Sequence, residues 1–225
     1  MSRLSNTVGS QRLLQVAVNE RSALLDAALR RSGALGPSET IRWVSPLRDD
    51  GYKEFRDATA LTHLGIAARL REPLSDFWPA RGPVWDALGV SSGAASILVE
   101  AKAHIPEAAS PPSQATPDSL AKIRKSLDTV RAAMAPRSRA DWSRVFYQYA
   151  NRLAFQWFLT RVNGLGSRLV FLNFINATDV NGPETEEEWH GATRLIHAVL
   201  GLPADLRQFG VFHAILDAKQ LGVRK

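Results

Sequence analysis

Between Ala95 and His104 the chain alternates: Ile97, Val99, Ala101 and Ala103 fall on one side of an extended segment, and Ser96, Leu98, Glu100, Lys102 and His104 on the other. Strand side chains point to opposite faces in turn. The segment therefore predicts a strand with one wholly apolar face and one face carrying two charges. Charged residues are depleted in strands and costly to bury unless paired or metal-bound. A chain with such a strand needs a sheet to seat it and a reason for the charges.

The rest of the sequence supplies the sheet. Ser91, Ser92 and Gly93 are turn chemistry, and Pro83–Val90 before them reads as a strand. Thr40–Ser45 is an earlier strand candidate. Leu169–Ile175 is almost wholly apolar, as a strand covered on both faces would be. Val211–Leu216 offers a last strand. Helices are expected over Ser10–Arg31, closed by Gly33, and over Tyr52–Leu70. Thr116 and Pro117 open another that runs to Met134, and Asp141–Val162 forms a longer one. Thr185 with Glu188 has capping-box spacing at the head of a helix ending near Leu200. Hairpins mixed with helical crossovers predict an α/β fold, a mixed β-sheet flanked by helices on both faces. The expected layout is a flexible stretch over 1–9 and one domain over 10–225. Within it, 108–118 is a surface loop and 183–225 a C-terminal helix–strand extension.

Composition narrows the function classes. The chain has 225 residues and no cysteine, which excludes disulfides, Cys-based zinc sites and thiol nucleophiles. Lys and Arg exceed Asp and Glu by 28 to 22, a formal net charge of +6 that suits a polyanionic partner. Met1–Ser10 has no apolar signal region, and no stretch approaches the ~20 apolar residues of a membrane span. A soluble, cytoplasmic protein without a membrane partner is expected. No phosphate-cradling loop, dinucleotide fingerprint or nucleophile elbow is present.

Asp86 and Glu100 lie equally far from Gly93 along the chain. In an antiparallel hairpin turning there they face each other, with Cβ atoms about 5 Å apart. Like charges so placed repel unless a cation lies between them, and two carboxylates plus water suit Mg²⁺ or Mn²⁺. Lys102, two residues beyond Glu100, points to the same side, where it can hold a water nucleophile or neutralise charge on a phosphate. An ordinary ion pair of Lys102 with either carboxylate is the competing expectation. A register slipped by one residue would turn Asp86 to the other face.

Pro83-Val84-Trp85-Asp86, followed by Ile97-Leu98-Val99-Glu100-Ala101-Lys102, resembles the motif of the PD-(D/E)XK nuclease superfamily, the restriction-endonuclease-like fold. The resemblance implies Asp86 and Glu100 as metal ligands and Lys102 as the catalytic lysine of a Mg²⁺-dependent (or Mn²⁺-dependent) nuclease acting on nucleic acid, DNA above all. It also implies a mixed sheet with a helix–three strands–helix–strand order, which fits Ser10 to Ile175. Val84 and Trp85 stand between Pro83 and Asp86, a departure from the motif. Some members add an acidic residue from the first helix, a place Glu20 would fill. Others carry a polar cluster on the helix after the motif strands, where Gln148, Asn151 and Arg152 stand. Relatives with a Gln-x-x-x-Tyr motif have Tyr at the place of Arg152. A homodimer is a further expectation of the resemblance. The same fold without catalysis, as a nucleic-acid-binding or regulatory module, is the alternative; a structural protein with merely paired charges is the third.

Weaker signals remain. His104 continues the charged face of its strand. His190 and His197 share a helical face without an evident third ligand. Arg137, Arg139, Arg144 and Arg152 suggest a basic stripe, with solvated arginines the plainer reading. Trp142, Phe146, Tyr149, Leu153 and Trp157 read as core rather than as a base-stacking platform.

Overall fold

The computed structural model describes residues 8–223; the stretch 1–7 of the expected flexible N-terminus lies outside them. The chain opens with two helices, α1 (Gly9–Asn19) and α2 (Ser22–Ser32), then strand β1 (Ile41–Ser45). Helices α3 (Asp57–His63) and α4 (Leu74–Phe77) precede a hairpin of β2 (Ala87–Ser91) and β3 (Ser96–Lys102). Helices α5 (Pro117–Met134) and α6 (Tyr147–Trp157) lead to β4 (Ser167–Ile175), and α7 (Glu186–Leu200) leads to β5 (Val211–Asp217).

The five strands form one mixed sheet in the order β1-β2-β3-β4-β5. The pairs β1–β2 and β2–β3 are antiparallel, and β3–β4 and β4–β5 are parallel. The architecture is α/β, with helices on both faces. Two apolar clusters show this directly. Ile97, Val99, Ala101, Val170, Leu172 and Ala214 pack with α1 and α2. Leu88, Leu98, Leu169 and Phe171 pack on the reverse face with α3, α5, α6 and α7. The alternation read from Ile97 to Ala103 thus separates the two cores, and Glu100 belongs to the face under α6. Gly89 lies beside Trp43 of β1; a Cβ there would come within 2.5 Å of Ile41 Cγ2, so the bulky residues of β1 need a glycine opposite them.

Several boundaries differ from the sequence reading. The single helix expected over Ser10–Arg31 is two. The Asn19 side chain donates to the carbonyls of Gln15 and Pro46 and accepts from Arg48 N–H, and α1 ends there. Tyr52–Leu70 is not one helix: Phe55 forms an isolated antiparallel bridge with Trp85, and α3 begins only at Asp57. The strand expected over Pro83–Val90 begins at Ala87. The helix expected from Asp141 starts at Tyr147, and a π-helical turn carries it on through Val162. The capping box is present, with Glu188 accepting from the N–H groups of Glu184 and Thr185. The segment 183–225, expected as an extension, supplies β5, which pairs with β4 over seven residues of the central sheet. No helix of the described residues is long and apolar enough to cross a membrane.

Candidate active site

The register of β2 on β3 runs Val90↔Ser96, Gly89↔Ile97, Leu88↔Leu98, Ala87↔Val99. The ladder ends one residue short of Asp86, and Glu100 is the next residue of β3. Freed from the ladder, Asp86 turns its carboxyl to the main chain of β3, and Oδ2 accepts from Ala101 N–H at 2.7 Å. Oδ1 has no hydrogen-bond partner among the described residues. The approach to Asp86 is fixed from outside the sheet. Asp57 accepts from the N–H groups of Arg81 and Gly82, and Trp85 N–H donates to the Phe55 carbonyl.

Glu100 is 3% exposed and meets two cations. Lys102 Nζ lies 2.5 Å from Oε1. Arg152, which α6 projects down onto the sheet, places Nε 2.6 Å from Oε2. Its other nitrogens donate to the Asn151 side chain and the Val84 carbonyl, and its guanidinium lies 4.9 Å from the centre of the Trp85 ring. Charge, hydrogen bonds and an aromatic face together satisfy a guanidinium that is 4% exposed.

The two carboxyls are thereby driven apart. Burial pushes the Glu100 carboxyl up, but Arg152 and Lys102 outweigh it and hold the group below the ordinary carboxylate range. Burial, with the Glu100 charge added to it, pushes Asp86 up to about 8, against the opposing pull of Lys102, Ala101 N–H and Arg152. Asp86 is therefore a protonated acid beside an ionised one at neutral pH, as expected for two acids sharing a site.

Asp86, Glu100, Lys102 and Arg152 form one electrostatic unit. Asp86 and Arg152, with Gln148 and Asn151, line a cleft of about 640 Å³ whose far wall is the proline-rich segment near Pro111 and Pro112. Gln148 also borders the narrow cavity that touches Glu100 and Lys102. Its side chain has no hydrogen-bond partner among the described residues, and its N–H donates to Ser110 Oγ. No family model matches the chain, and neither a curated protein nor a solved structure matches it.

Glu20 is not brought to this unit. It ends α1 at an exposed position and pairs with Arg48. The acid that approaches is Glu54, next to the Phe55–Trp85 bridge, which the sequence reading did not single out. Gln11 of α1 donates to it at 2.9 Å. Burial pushes the Glu54 carboxyl up, against the Gln11 hydrogen bond, and the Glu100 charge pushes it further. Only its adjacency to Phe55, had that residue been read as extended rather than helical, could have pointed to it.

Arg137, Arg139 and Arg144 are exposed, in line with the plainer reading of solvated arginines, whereas Arg152 departs from it and is buried against Glu100. His104 Nδ1 lies 2.7 Å from Glu107 Oε1. Trp142, Tyr149 and Leu153 are core, with Phe146 and Trp157 packed against them. His197 gains a neighbour that the sequence did not suggest, His213 of β5; Tyr149 Oη lies 2.8 Å from His197 Nε2 and 3.1 Å from His213 Nε2.

Among the described residues no group of three or more His, Asp or Glu side chains is arranged to hold a metal ion. What the site offers is a pair of acids: an ionised Glu100, and an Asp86 with a free oxygen and a proton that burial and the Glu100 charge hold in place. An all-oxygen donor set of this kind fits a hard divalent cation completed by water.

Proposed function

We propose that this chain is a metal-dependent nuclease that hydrolyses phosphodiester bonds, with DNA as its substrate. The observation that carries the reading is the convergence of Asp86, Glu100 and Lys102 at the mouth of the β2–β3 hairpin, with Asp86 facing an open cleft. The motif Pro83–Lys102 supports it through the PD-(D/E)XK resemblance, Val84 and Trp85 apart, and so does the order α1 to β4, in which α3 and α4 are inserted between β1 and β2. The net charge of +6 favours a polyanion.

Asp86 Oδ1 and the Glu100 carboxylate would hold Mg²⁺ or Mn²⁺, which when bound supplies Lewis acidity at a phosphoryl oxygen and lowers the pKa of bound water. The protein's own part is positional. Arg152 locks Glu100 in one rotamer and keeps it ionised. Ala101 N–H aims Asp86. Lys102, which pairs with Glu100 Oε1, would be the residue to hold the attacking water or to neutralise charge on the phosphate. Gln148 presents an uncommitted amide to the cleft, suited to a phosphate oxygen.

A second reading has its own observation. Both Glu100 oxygens are already engaged, and Lys102 and Arg152 balance the charge of the acid pair. That favours a catalytically inactive nucleic-acid-binding module on the same scaffold. Incubating linear, circular, branched and single-stranded DNA with Mg²⁺ or Mn²⁺ separates the two. Metal-dependent cleavage by the wild type that Asp86→Ala and Lys102→Ala both abolish supports the nuclease. DNA binding that ignores metal, with no cleavage, supports the module. Cleavage that survives both substitutions defeats the assignment of this site.

A further inference from the structure

Glu100 and Lys102 border a narrow cavity of about 30 Å³, room for about two waters. Asn173, Trp189, Thr193 and His213 border it too, and the same four residues line a second, wider pocket of about 570 Å³. That pocket lies between α7 and β5, a strand at the edge of the sheet. Its size suits an organic ligand of nucleotide dimensions.

The chemistry of the walls points the same way. Trp189, Leu202 and Ile215 are apolar, and Asn173 and Thr193 offer neutral hydrogen-bonding groups. Burial lowers the pKa of His197 and His213, which are neutral, and their hydrogen bonds fix which ring nitrogen carries the proton. His197 donates one ring N–H to the Pro203 carbonyl, so its Nε2 accepts from Tyr149 O–H. The Tyr149 oxygen then accepts from His213 Nε2. This relay leaves His213 Nδ1 as a bare acceptor, and that buried atom has no partner among the described residues. A buried acceptor without a donor is costly. At the rim, α7 presents Arg194, an exposed cation suited to a phosphate.

We infer that this second pocket binds a nucleotide unit: the base between α7 and β5 and the phosphate at Arg194. Resting on the nuclease reading, the unit is the end nucleotide of a strand whose scissile phosphodiester lies at Asp86, Glu100 and Lys102. A base supplies what the walls ask for, namely a flat apolar body and an edge of N–H donors and acceptors. The narrow cavity lies between the two sites, sharing Gln148 with the cleft at Asp86 and Asn173, Trp189, Thr193 and His213 with the wider pocket.

The test is titration of the full-length, metal-free chain with the four deoxynucleoside 5′-monophosphates, with 5′-phosphorylated single-stranded oligonucleotides and with circles of the same sequence, read by calorimetry. Mononucleotides should bind. Arg194→Ala, an exposed substitution, should weaken them about tenfold, and Thr193→Trp, which fills the pocket, should abolish binding while the melting transition stays cooperative. End-bearing oligonucleotides should show the same two losses and circles neither. If only free nucleotides respond to the variants, the pocket is a nucleotide site that does not read strand ends. No nucleotide binding by the wild type, or binding indifferent to both substitutions, overturns the proposal. The readout needs no cleavage, so the two readings fail separately. Nucleotide binding in a protein that never cuts DNA sinks the nuclease and the strand-end role. Normal cutting without nucleotide binding sinks the pocket alone.

Discussion

Arg152 Nε donates to Glu100 Oε2 at 2.6 Å, and neither side chain reaches solvent to any useful extent. Arg152 is the more deeply buried of the two cations on Glu100, so removing it leaves the buried carboxylate with the partly exposed Lys102 alone. Arg152→Met should therefore lower stability by about 3–5 kcal/mol. The double variant Glu100→Gln with Arg152→Met should recover part of that loss, because the buried guanidinium and carboxylate leave together and only the partly exposed Lys102 loses its partner. Urea unfolding of the two variants measures both effects; equal losses would mean that the pair is not the source.

Asp86 provides a pH signature. Its folded value of about 8 lies above the ordinary 3.8, so the fold disfavours its charged form. The stability linked to this group is full below its unfolded pKa and is lost as pH rises through about 8. Asp86→Asn removes the titration and keeps an acceptor for Ala101 N–H. The metal-free variant should melt above the wild type, with a gap that widens from acid toward pH 8. The gap should keep widening across that whole range and level off above about pH 8. A pH-independent difference in melting temperature would contradict the raised value.

The same proton should appear in metal binding. Because Asp86 holds it below about pH 8, Mn²⁺ loading near neutral pH should release about one proton per ion. Release should vanish well above that pH. Calorimetry in buffers of different ionisation enthalpy counts the protons, and Asp86→Asn should eliminate the release.

Lys102→Ala should cut DNA cleavage by about 10²-fold or more, the scale of one lost electrostatic stabiliser. Its fold should survive, since Arg152 still compensates Glu100. Single-turnover kinetics at saturating DNA and Mg²⁺ measures the loss, and circular dichroism checks the fold.

Glu20 and Glu54 separate two ideas of the accessory acid. Glu20→Ala touches only an exposed pair with Arg48 and should change neither cleavage nor stability, the latter staying within about 0.5 kcal/mol. Glu54→Gln removes a partly buried carboxyl that feels the Glu100 charge and should weaken Mn²⁺ affinity about tenfold. Comparable affinities in the two variants would place Glu54 outside the site.

What was legible in the sequence followed from short-range rules. A turn centred near Gly93 sets the pairing of Leu88 with Leu98, and the two-residue period sends Val99 to one core and Glu100 to the other. The helix–strand order needed only periodicity and caps. The rest depended on groups far apart in the chain. Arg152 is 52 residues from its partner, so its spacing from Gln148 put the two on one helical face able to meet a carboxylate or simply solvent, and could not name Glu100. The break after Asn19 reflects hydrogen bonds to Pro46 and Arg48 in another segment, and this break is what leaves Glu20 at the surface. Phe55 looked like a helix position because its extended partner, Trp85, lies beyond α3 and α4.

The donor that aims Asp86 is the amide of Ala101, a group every residue except proline carries at that position. No side-chain exchange at 101 short of proline can delete it; only a slipped strand would. The orientation of that acid is consequently insulated from drift in the surrounding surface, and the proline-rich wall opposite can be lengthened, shortened or recomposed by an engineer without re-aiming the carboxyl. Contacts can be redesigned on one bank of the groove while the acid on the other bank stays put.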